Sequence, residues 1–397
     1  MSLFAGPAEA ATPSAPCAPP RTDAHHSEGV SDWNEDYVRP VGRLNAVMVF
    51  LSFPDAQPSL SPRRLLRDHF PATSDFFSRA SYGRFDLRVH PVRHWLRMPN
   101  DSVEYGIRRD WDPQSRALYL SDALEAADPS VDFSRYDVVY LVADPDAPGV
   151  DSDATKVVNF DQPVAVDGTR LRRVVTVFEE HPPDLNVLAH ETGHIFDLPD
   201  LYHQPERADG DWDRHVGDWD LMGSQFGMAP DPFGWHKWKL GWLDRDQVDC
   251  VPQDSGSSLH LLRPLAEPRE ADRLTGPRPR PVRDTRLVVV RTGPERALAL
   301  EARERRGNDE TLCRPGVLVY EVRADIASAQ GPVKVVDGHP GRGACGRESV
   351  YPPLADAPLR SGESRVLEDQ GVEVRVGDRL DSGGWAVRVV REPNPGR

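Results

Sequence analysis

Short apolar runs alternate with helical patterns in the first part of the chain. Residues 47–51 and 138–142 are continuous apolar runs of strand length, and residues 85–89 alternate apolar with charged positions. Apolar residues at helical spacing occur between 113 and 127. Strands that alternate with helices in this way predict an α/β or α+β core.

The pattern changes after residue 256. From there on, short apolar runs are separated by Gly, Pro and Asp turns, which predicts a separate all-β domain of the sandwich or jelly-roll type. The first 37 residues are rich in Ala, Pro, Ser and Asp and lack periodicity, so they predict a disordered tail. The predicted organisation is a tail over 1–37, an α+β domain over 38–255 and an all-β domain over 256–397.

The charge balance excludes some classes of partner. The chain has 397 residues, with 48 Lys and Arg against 63 Asp and Glu, which gives a net charge of −15. Nucleic acids and anionic membrane surfaces require a basic face, so neither is an expected partner.

No apolar stretch approaches the roughly 20 residues of a transmembrane helix. No signal peptide is visible, since Arg21 is the first basic residue and no apolar core precedes it. We expect a monomer.

The four cysteines are Cys17, Cys250, Cys313 and Cys345. None belongs to a C-x-x-C pair, so a cysteine-built zinc site is not expected. Cys313 and Cys345 lie in the same C-terminal stretch, where a disulfide and two free thiols are both open. Cys17 lies in the predicted tail, and one open alternative is that its thiol caps a metal ion and keeps the site latent.

Residues 188–200 carry the pattern of a metal site. They contain H-E-x-x-H, formed by His190, Glu191 and His194. On a helix, positions i and i+4 share a face, so both imidazoles can reach one ion. Zinc lowers the pKa of a bound water toward about 7, and Glu191 can take its proton and pass it to the leaving amine. The motif predicts two histidine zinc ligands and Glu191 as the catalytic base.

The third ligand is predicted just beyond the helix. Pro199 ends the helix soon after His194, and the next side chain is Asp200, ten residues after His190. In the metzincin arrangement H-E-x-x-H-x-x-G-x-x-H, the third ligand takes this position. Two imidazoles and one carboxylate leave a fourth position open for water. A turn role for Asp200 is an alternative. The rival third ligands are His203, His215 and Asp218.

Two further positions bear on the metzincin pattern. Asp197 stands where that pattern has glycine, which suits a turn with positive φ. Asp tolerates this left-handed region better than most residues, so the departure is compatible with the turn. Met222 lies between Leu221 and Gly223, as a Met-turn beneath the metal requires. The alternative for Met222 is an ordinary core methionine.

These motifs together resemble the immune inhibitor A-like zinc metalloproteases of bacteria. The similarity covers residues 40–245, and His203 departs from the Asp that often follows Leu-Tyr in that family. The matching motifs are H-E-T-G-H and L-P-D-L-Y within 190–202, W-D-L-M-G at 219–223, W-H-K-W-K-L-G-W-L at 235–243, F-P-D at 53–55 and S-Y-G at 81–83.

The resemblance implies a secreted zinc endopeptidase that acts on protein or peptide substrates. It implies a zincin-type α+β catalytic domain, with a twisted mixed sheet and an active-site helix, followed by a β-rich region. By the same resemblance, His190, His194 and Asp200 bind zinc, Glu191 is the base and Met222 forms the Met-turn. The extracellular location rests on the resemblance, because the chain shows no export signal.

Calcium and the substrate are open. The resemblance implies structural calcium sites, although the acidic spacing matches no EF-hand loop and a solvated acidic loop is the alternative. The candidate calcium ligands are Asp209, Asp211, Asp213, Asp218 and Asp220. Tyr202 lies near the motif and is expected to pack against its neighbours. Two other functions stay open: a non-catalytic binding protein whose β domain recognises a protein or glycan, and a zinc hydrolase of small peptides or amides.

Overall fold

The computed structural model describes residues 16–204, 211–251, 256–267, 284–381 and 383–391. Strands outnumber helices among these residues, and the content is that of an α+β protein. The α-helices are α1 Pro62–His69, α2 Ala72–Ala80, α3 Pro113–Ala127, α4 Val187–Ile195 and α5 Gly234–Lys239. The β-strands are β1 Gly42–Ser52, β2 Phe85–Pro91, β3 Leu96–Arg97, β4 Val138–Ala143, β5 Lys156–Val166, β6 Thr169–Val177, β7 Val248–Val251, β8 Ser257–Leu262, β9 Leu287–Arg291, β10 Arg296–Arg303, β11 Gly316–Arg323, β12 Val333–Val335, β13 Ser364–Leu367, β14 Val372–Arg379 and β15 Trp385–Arg391.

The first sheet has the strand order β2-β1-β4-β6-β5, with β3 beside the end of β1. Its strands pair in parallel except for β5, which joins β6 antiparallel at the edge. Successive side chains of β1 point to opposite faces of the sheet. Val47 and Val49 belong to the core that contains α3, whereas Met48 and Phe50 belong to the core that contains α2 and α4. The sheet therefore separates α3 from the helix that carries H-E-x-x-H.

Two antiparallel-rich sheets follow. The second has the order β12-β11-β10-β9-β7, and the third has the order β13-β14-β15-β8. Val288 and Leu298 of the second sheet share one buried cluster with Val374 and Val387 of the third. The two sheets thus bury apolar side chains in a common core.

The predicted division at 255/256 does not coincide with a break in the core. Strand β7 lies before the division, yet it pairs in parallel with β9 beyond it. Val289 and Tyr320 belong to the same buried cluster as Phe77 and Trp235. The spacing of apolar residues indicates where strands replace helices, but it does not show which faces pack together. The second sheet is therefore part of the core beneath α4 and α5, and the prediction of a separate all-β domain needs this correction.

The N-terminal segment, residues 16–37, is packed against the rest of the chain. Cys17 forms a disulfide with Cys250 on β7, and Ser27 and Glu28 are fully buried. The prediction of a disordered tail is wrong for these residues, while residues 1–15 lie outside the described part. Periodicity could not identify this segment, because specific polar contacts and a disulfide hold it. The disulfide also removes the alternative in which a Cys17 thiol caps a metal.

Cys313 and Cys345 form a second disulfide. This settles the choice between a bridge and two free thiols in favour of the bridge. Among the described helices, none is long and apolar enough to cross a membrane.

Candidate metal centre and cleft

Helix α4 carries the H-E-x-x-H motif between the first sheet and the loop 216–223. Its N-cap is Asn186, whose φ of 59° lies in the left-handed region, so the helix begins at Val187. Every residue from Val187 to Ile195 is buried except His194. A helix held on all sides in this way fixes the direction of its side chains.

Three side chains meet at the end of α4. The Nε2 atoms of His190 and His194 lie 3.3 and 3.1 Å from Oδ1 of Asp200. One ligand atom from each residue lies within 4.8 Å of the other two, and no other His, Cys, Asp or Glu cluster of this kind occurs among the described residues. The structure thus brings together the three predicted ligands, and the rivals His203, His215 and Asp218 are not members of the cluster.

Backbone carbonyls orient both imidazoles. Nδ1 of His190 donates to the carbonyl of Leu221 over 2.9 Å, and Nδ1 of His194 donates to the carbonyl of Leu198 over 2.8 Å. Because each Nδ1 donates to a carbonyl, each ring directs its Nε2 toward Asp200, and the neutral form of the ring would offer the lone pair of that atom to a cation. Metal-binding histidines typically use such a bond to fix the tautomer and the plane of the ring.

The donor set fits a divalent cation. Oδ1 of Asp200 is buried and has no hydrogen-bond partner within the described structure. A buried carboxylate oxygen without a partner is costly, and a cation between it and the two Nε2 atoms would satisfy all three. Burial disfavours the protonated form of His194, but the Asp200 carboxylate outweighs burial and raises the pKa of His194 to about 9. The same negative charge favours a bound metal ion.

Glu191 is buried beside the two histidines. Its Oε2 accepts a hydrogen bond of 2.8 Å from the backbone N–H of Val157, at the start of β5. Burial raises the pKa of Glu191, against the opposing influence of His190 and His194. The edge strand therefore holds the carboxylate in place, and burial makes it a stronger base than an exposed glutamate. The Val157 contact has no signature in the sequence.

The turn after α4 has the conformation expected from the glycine position of the metzincin pattern. Asp197 has a φ of 62°, in the left-handed region that Asp tolerates. Its carboxylate is buried and lies 2.6 Å from Nη1 of Arg21 and 3.0 Å from Nδ1 of His26. The sequence offered no link between Asp197 and the N-terminal segment.

Met222 lies directly beneath α4. It is fully buried, and its N–H donates to Oδ1 of Asp220 over 2.7 Å. A Cβ added to Gly193 would lie 2.6 Å from Sδ of Met222. The helix and the 220–223 turn are therefore in close contact at a glycine next to His194.

Replacing Gly193 by Ala is expected to destabilise the fold by about 1 kcal/mol. Overpacking of a buried contact costs about 1–3 kcal/mol, whereas Ala gains about 1 kcal/mol over Gly in helix propensity. Denaturant unfolding measures the difference. Gly256→Ala is the control, because a Cβ there meets nothing within 4 Å. A Gly193→Ala protein as stable as the wild type would contradict the close contact with Met222.

A cleft of about 690 Å³ opens over His190, His194 and Asp200. It is bordered by β5, by the loop 223–226, by Tyr202 and by His25 and His26 of the N-terminal segment. No motif in the sequence pointed to His25 or His26 as part of the site. The N-terminal segment therefore contributes a wall to the cleft.

Tyr202 has two kinds of contact. Its ring lies 5.4 Å from that of Trp212, which agrees with the expected packing role. Burial, together with the negative charges of the nearby Asp200 and Glu191 carboxylates, raises the pKa of Tyr202. The hydroxyl therefore keeps its proton and is able to donate a hydrogen bond in the cleft.

The acidic residues proposed for calcium do not form a cluster among the described residues. Asp218 accepts hydrogen bonds from Ser349 and Val350, and Asp220 accepts them from Phe233 and from Met222. No three of the described candidates place ligand atoms within reach of one ion. Asp209 lies outside the described residues. The two central carboxylates serve as internal hydrogen-bond acceptors.

Comparisons with known proteins add little. No protein-family model and no curated protein matches the chain. Among solved structures, wild-type OgpA from Akkermansia muciniphila is similar over 91% of this chain and 96% of that chain, at 9% identity and a TM-score of 0.28. A similarity at this level supports no conclusion about fold or function.

Proposed function

We propose that the protein is a zinc-dependent endopeptidase. The observation that carries the proposal is the meeting of His190, His194 and Asp200 at one point, with Glu191 beside them in an open cleft. Two imidazoles and one carboxylate are a donor set of catalytic zinc sites, because they leave a position for water or substrate. The proposal includes a zincin-type catalytic fold and membership of the immune inhibitor A-like proteases.

The residues of the proposed zinc site have separate chemical roles. Zinc held by His190, His194 and Asp200 would polarise the scissile carbonyl and acidify a water. Glu191 accepts the proton of the attacking water, and then delivers it to the leaving amine. The N–H of Val157 keeps the Glu191 carboxylate oriented throughout, since it donates to Oε2 alone.

The edge strand supports a peptide as the substrate. Strand β5 is the last strand of its sheet, and Lys156, Val157 and Asn159 line the cleft. An extended peptide can add to such an edge through backbone hydrogen bonds, independently of its side chains. The two disulfides support an extracellular location, because disulfides persist in oxidising compartments.

Tyr202 is proposed as a hydrogen-bond donor to the developing oxyanion. Replacement by Phe keeps the ring against Trp212 and removes only the hydroxyl. We expect kcat to fall by about 10²-fold, as for other single oxyanion donors, with the zinc content unchanged. Steady-state kinetics on a fluorogenic peptide measures the effect. A Tyr202→Phe protein with wild-type kcat would restrict Tyr202 to packing.

Digestion of an unfolded protein tests the proposed function. The purified protein is incubated with reduced, alkylated casein, with and without a zinc chelator, and new amino termini are counted. We expect internal cleavage that the chelator stops and added zinc restores. Absence of cleavage by a protein that holds one zinc per chain would favour the binding-protein alternative, and cleavage of short peptides alone would favour a small-substrate hydrolase.

A further inference from the structure

The N-terminal segment reaches each of the three ligand positions by a separate route. It is fixed to β7 by the disulfide between Cys17 and Cys250. Its central residues, Ser27 and Glu28, are fully buried. A segment anchored in this way can transmit rigidity to whatever it contacts.

The first route leads to the turn between His194 and the third ligand. Arg21 and His26 both bind the carboxylate of Asp197, at 2.6 and 3.0 Å. Nζ of Lys239 donates to the carbonyl of Asp197 over 2.6 Å and to the carbonyl of Ser27 over 2.8 Å. The turn whose Leu198 carbonyl orients His194 is therefore tied to the segment on two sides.

The second route leads to the Met-turn. Oε1 of Glu28 lies 2.8 Å from Nε2 of His236, and Nδ1 of the same ring lies 2.9 Å from Oδ2 of Asp220. The other oxygen of Asp220 accepts the N–H of Met222. The preceding carbonyl, that of Leu221, orients His190. All of the side chains in this chain of contacts are buried.

The third route leads to Asp200 itself. The carbonyl of His25 accepts the N–H of Ser328 over 3.1 Å. Oγ of Ser328 accepts the N–H of Asp200 over 2.8 Å and lies 3.3 Å from its Oδ2. The loop between β11 and β12 therefore connects the segment to the carboxylate ligand.

We propose that the N-terminal segment braces the metal centre, and that Asp197 is the positioning residue through which it acts most directly. Turn geometry alone does not account for Asp197, since glycine adopts a φ of 62° with less strain. Burying a carboxylate is costly unless it is paired, and the partners of this one come from the segment and from Lys239. The inference rests on the proposed zinc site and extends it to residues far away in sequence.

The test compares zinc affinity in Asp197→Gly and in wild type. The substitution restores the glycine of the metzincin pattern and removes the carboxylate that pairs with Arg21, His26 and Lys239. Zinc dissociation constants come from competition with a chromogenic chelator, which requires no peptidase activity. We expect binding to weaken by about 10–100-fold, the effect typical of residues that orient metal ligands. Asp197→Asn keeps hydrogen-bond acceptance and is expected to restore part of the affinity.

Asp167→Gly is the matched control. Asp167 also has a positive φ, of 49°, but it is exposed in the β5–β6 hairpin, so its replacement should leave zinc affinity unchanged. Arg21→Met is the second variant, should Asp197→Gly fail to fold, and it is expected to weaken zinc binding several-fold. Wild-type affinity in both Asp197→Gly and Arg21→Met would overturn the brace and leave the zinc site intact. A wild-type protein that binds no zinc would overturn both proposals.

Discussion

Replacing Glu191 by Gln is expected to lower kcat for peptide hydrolysis by about 10³-fold, while zinc stays bound. Gln has the same shape, and its carbonyl can still accept the N–H of Val157. It has no basic oxygen at neutral pH, so it cannot take the proton of the attacking water. Turnover of a fluorogenic peptide measures kcat, and metal analysis of the same preparation measures the zinc content.

Glu180→Gln provides the control for this change. It makes the same substitution at an exposed residue, eleven positions before Glu191 in the sequence, and should leave kcat as in wild type. A Glu191→Gln protein that retained more than about a tenth of the wild-type kcat would be inconsistent with a general base at this position, whose contribution is typically 10²–10⁴-fold.

Replacing Asp200 by Ala is expected to weaken zinc binding by about 10²–10³-fold. Structural zinc sites bind with about 10–16 kcal/mol spread over their ligands, so one ligand accounts for about 3–4 kcal/mol. Loss of the carboxylate also removes a negative charge that attracts the cation to the two imidazoles. Competition with a chelator measures the dissociation constant.

His203→Ala is the companion variant, because His203 was a rival for the third position and lies outside the cluster. It should bind zinc as tightly as wild type. The reverse pattern, with zinc lost in His203→Ala and kept in Asp200→Ala, would assign the third ligand position to His203. It would also require a different arrangement of the loop 199–204.

The candidate site was largely predictable because its determinants are local. His190, Glu191, His194 and Asp200 lie within eleven residues, and helical spacing together with a proline-terminated turn determines their relative positions. The conformation of Asp197 was predictable for the same reason, since positive φ is a property of the turn itself.

The surroundings of the site were not predictable, because they depend on polar contacts between distant residues. Neither Ser328 nor Glu28 belongs to a periodic pattern, yet each takes part in a route to a ligand. The prediction of a disordered tail was wrong for residues 16–37 for the same reason. Composition indicates how much apolar surface a segment can bury, whereas this segment is held by a disulfide and buried ion pairs.

The fold was predicted at the level of strand and helix content but not of core organisation. The run at 47–51 is part of β1, and the pattern at 113–127 is α3. The second sheet, however, packs one face against the third sheet and the other against α5, which alternation alone does not reveal. Both faces of its strands are apolar for that reason, as in Val288, Val289 and Val290.

The most direct test of the zinc site is X-ray absorption at the zinc edge on the wild-type protein, after dialysis to remove loosely held metal. We expect one zinc per chain with two imidazole nitrogens and carboxylate or water oxygens at about 2.0–2.2 Å. A shell of oxygens alone, or a protein that retains no zinc after dialysis, would contradict a metal centre built from His190, His194 and Asp200.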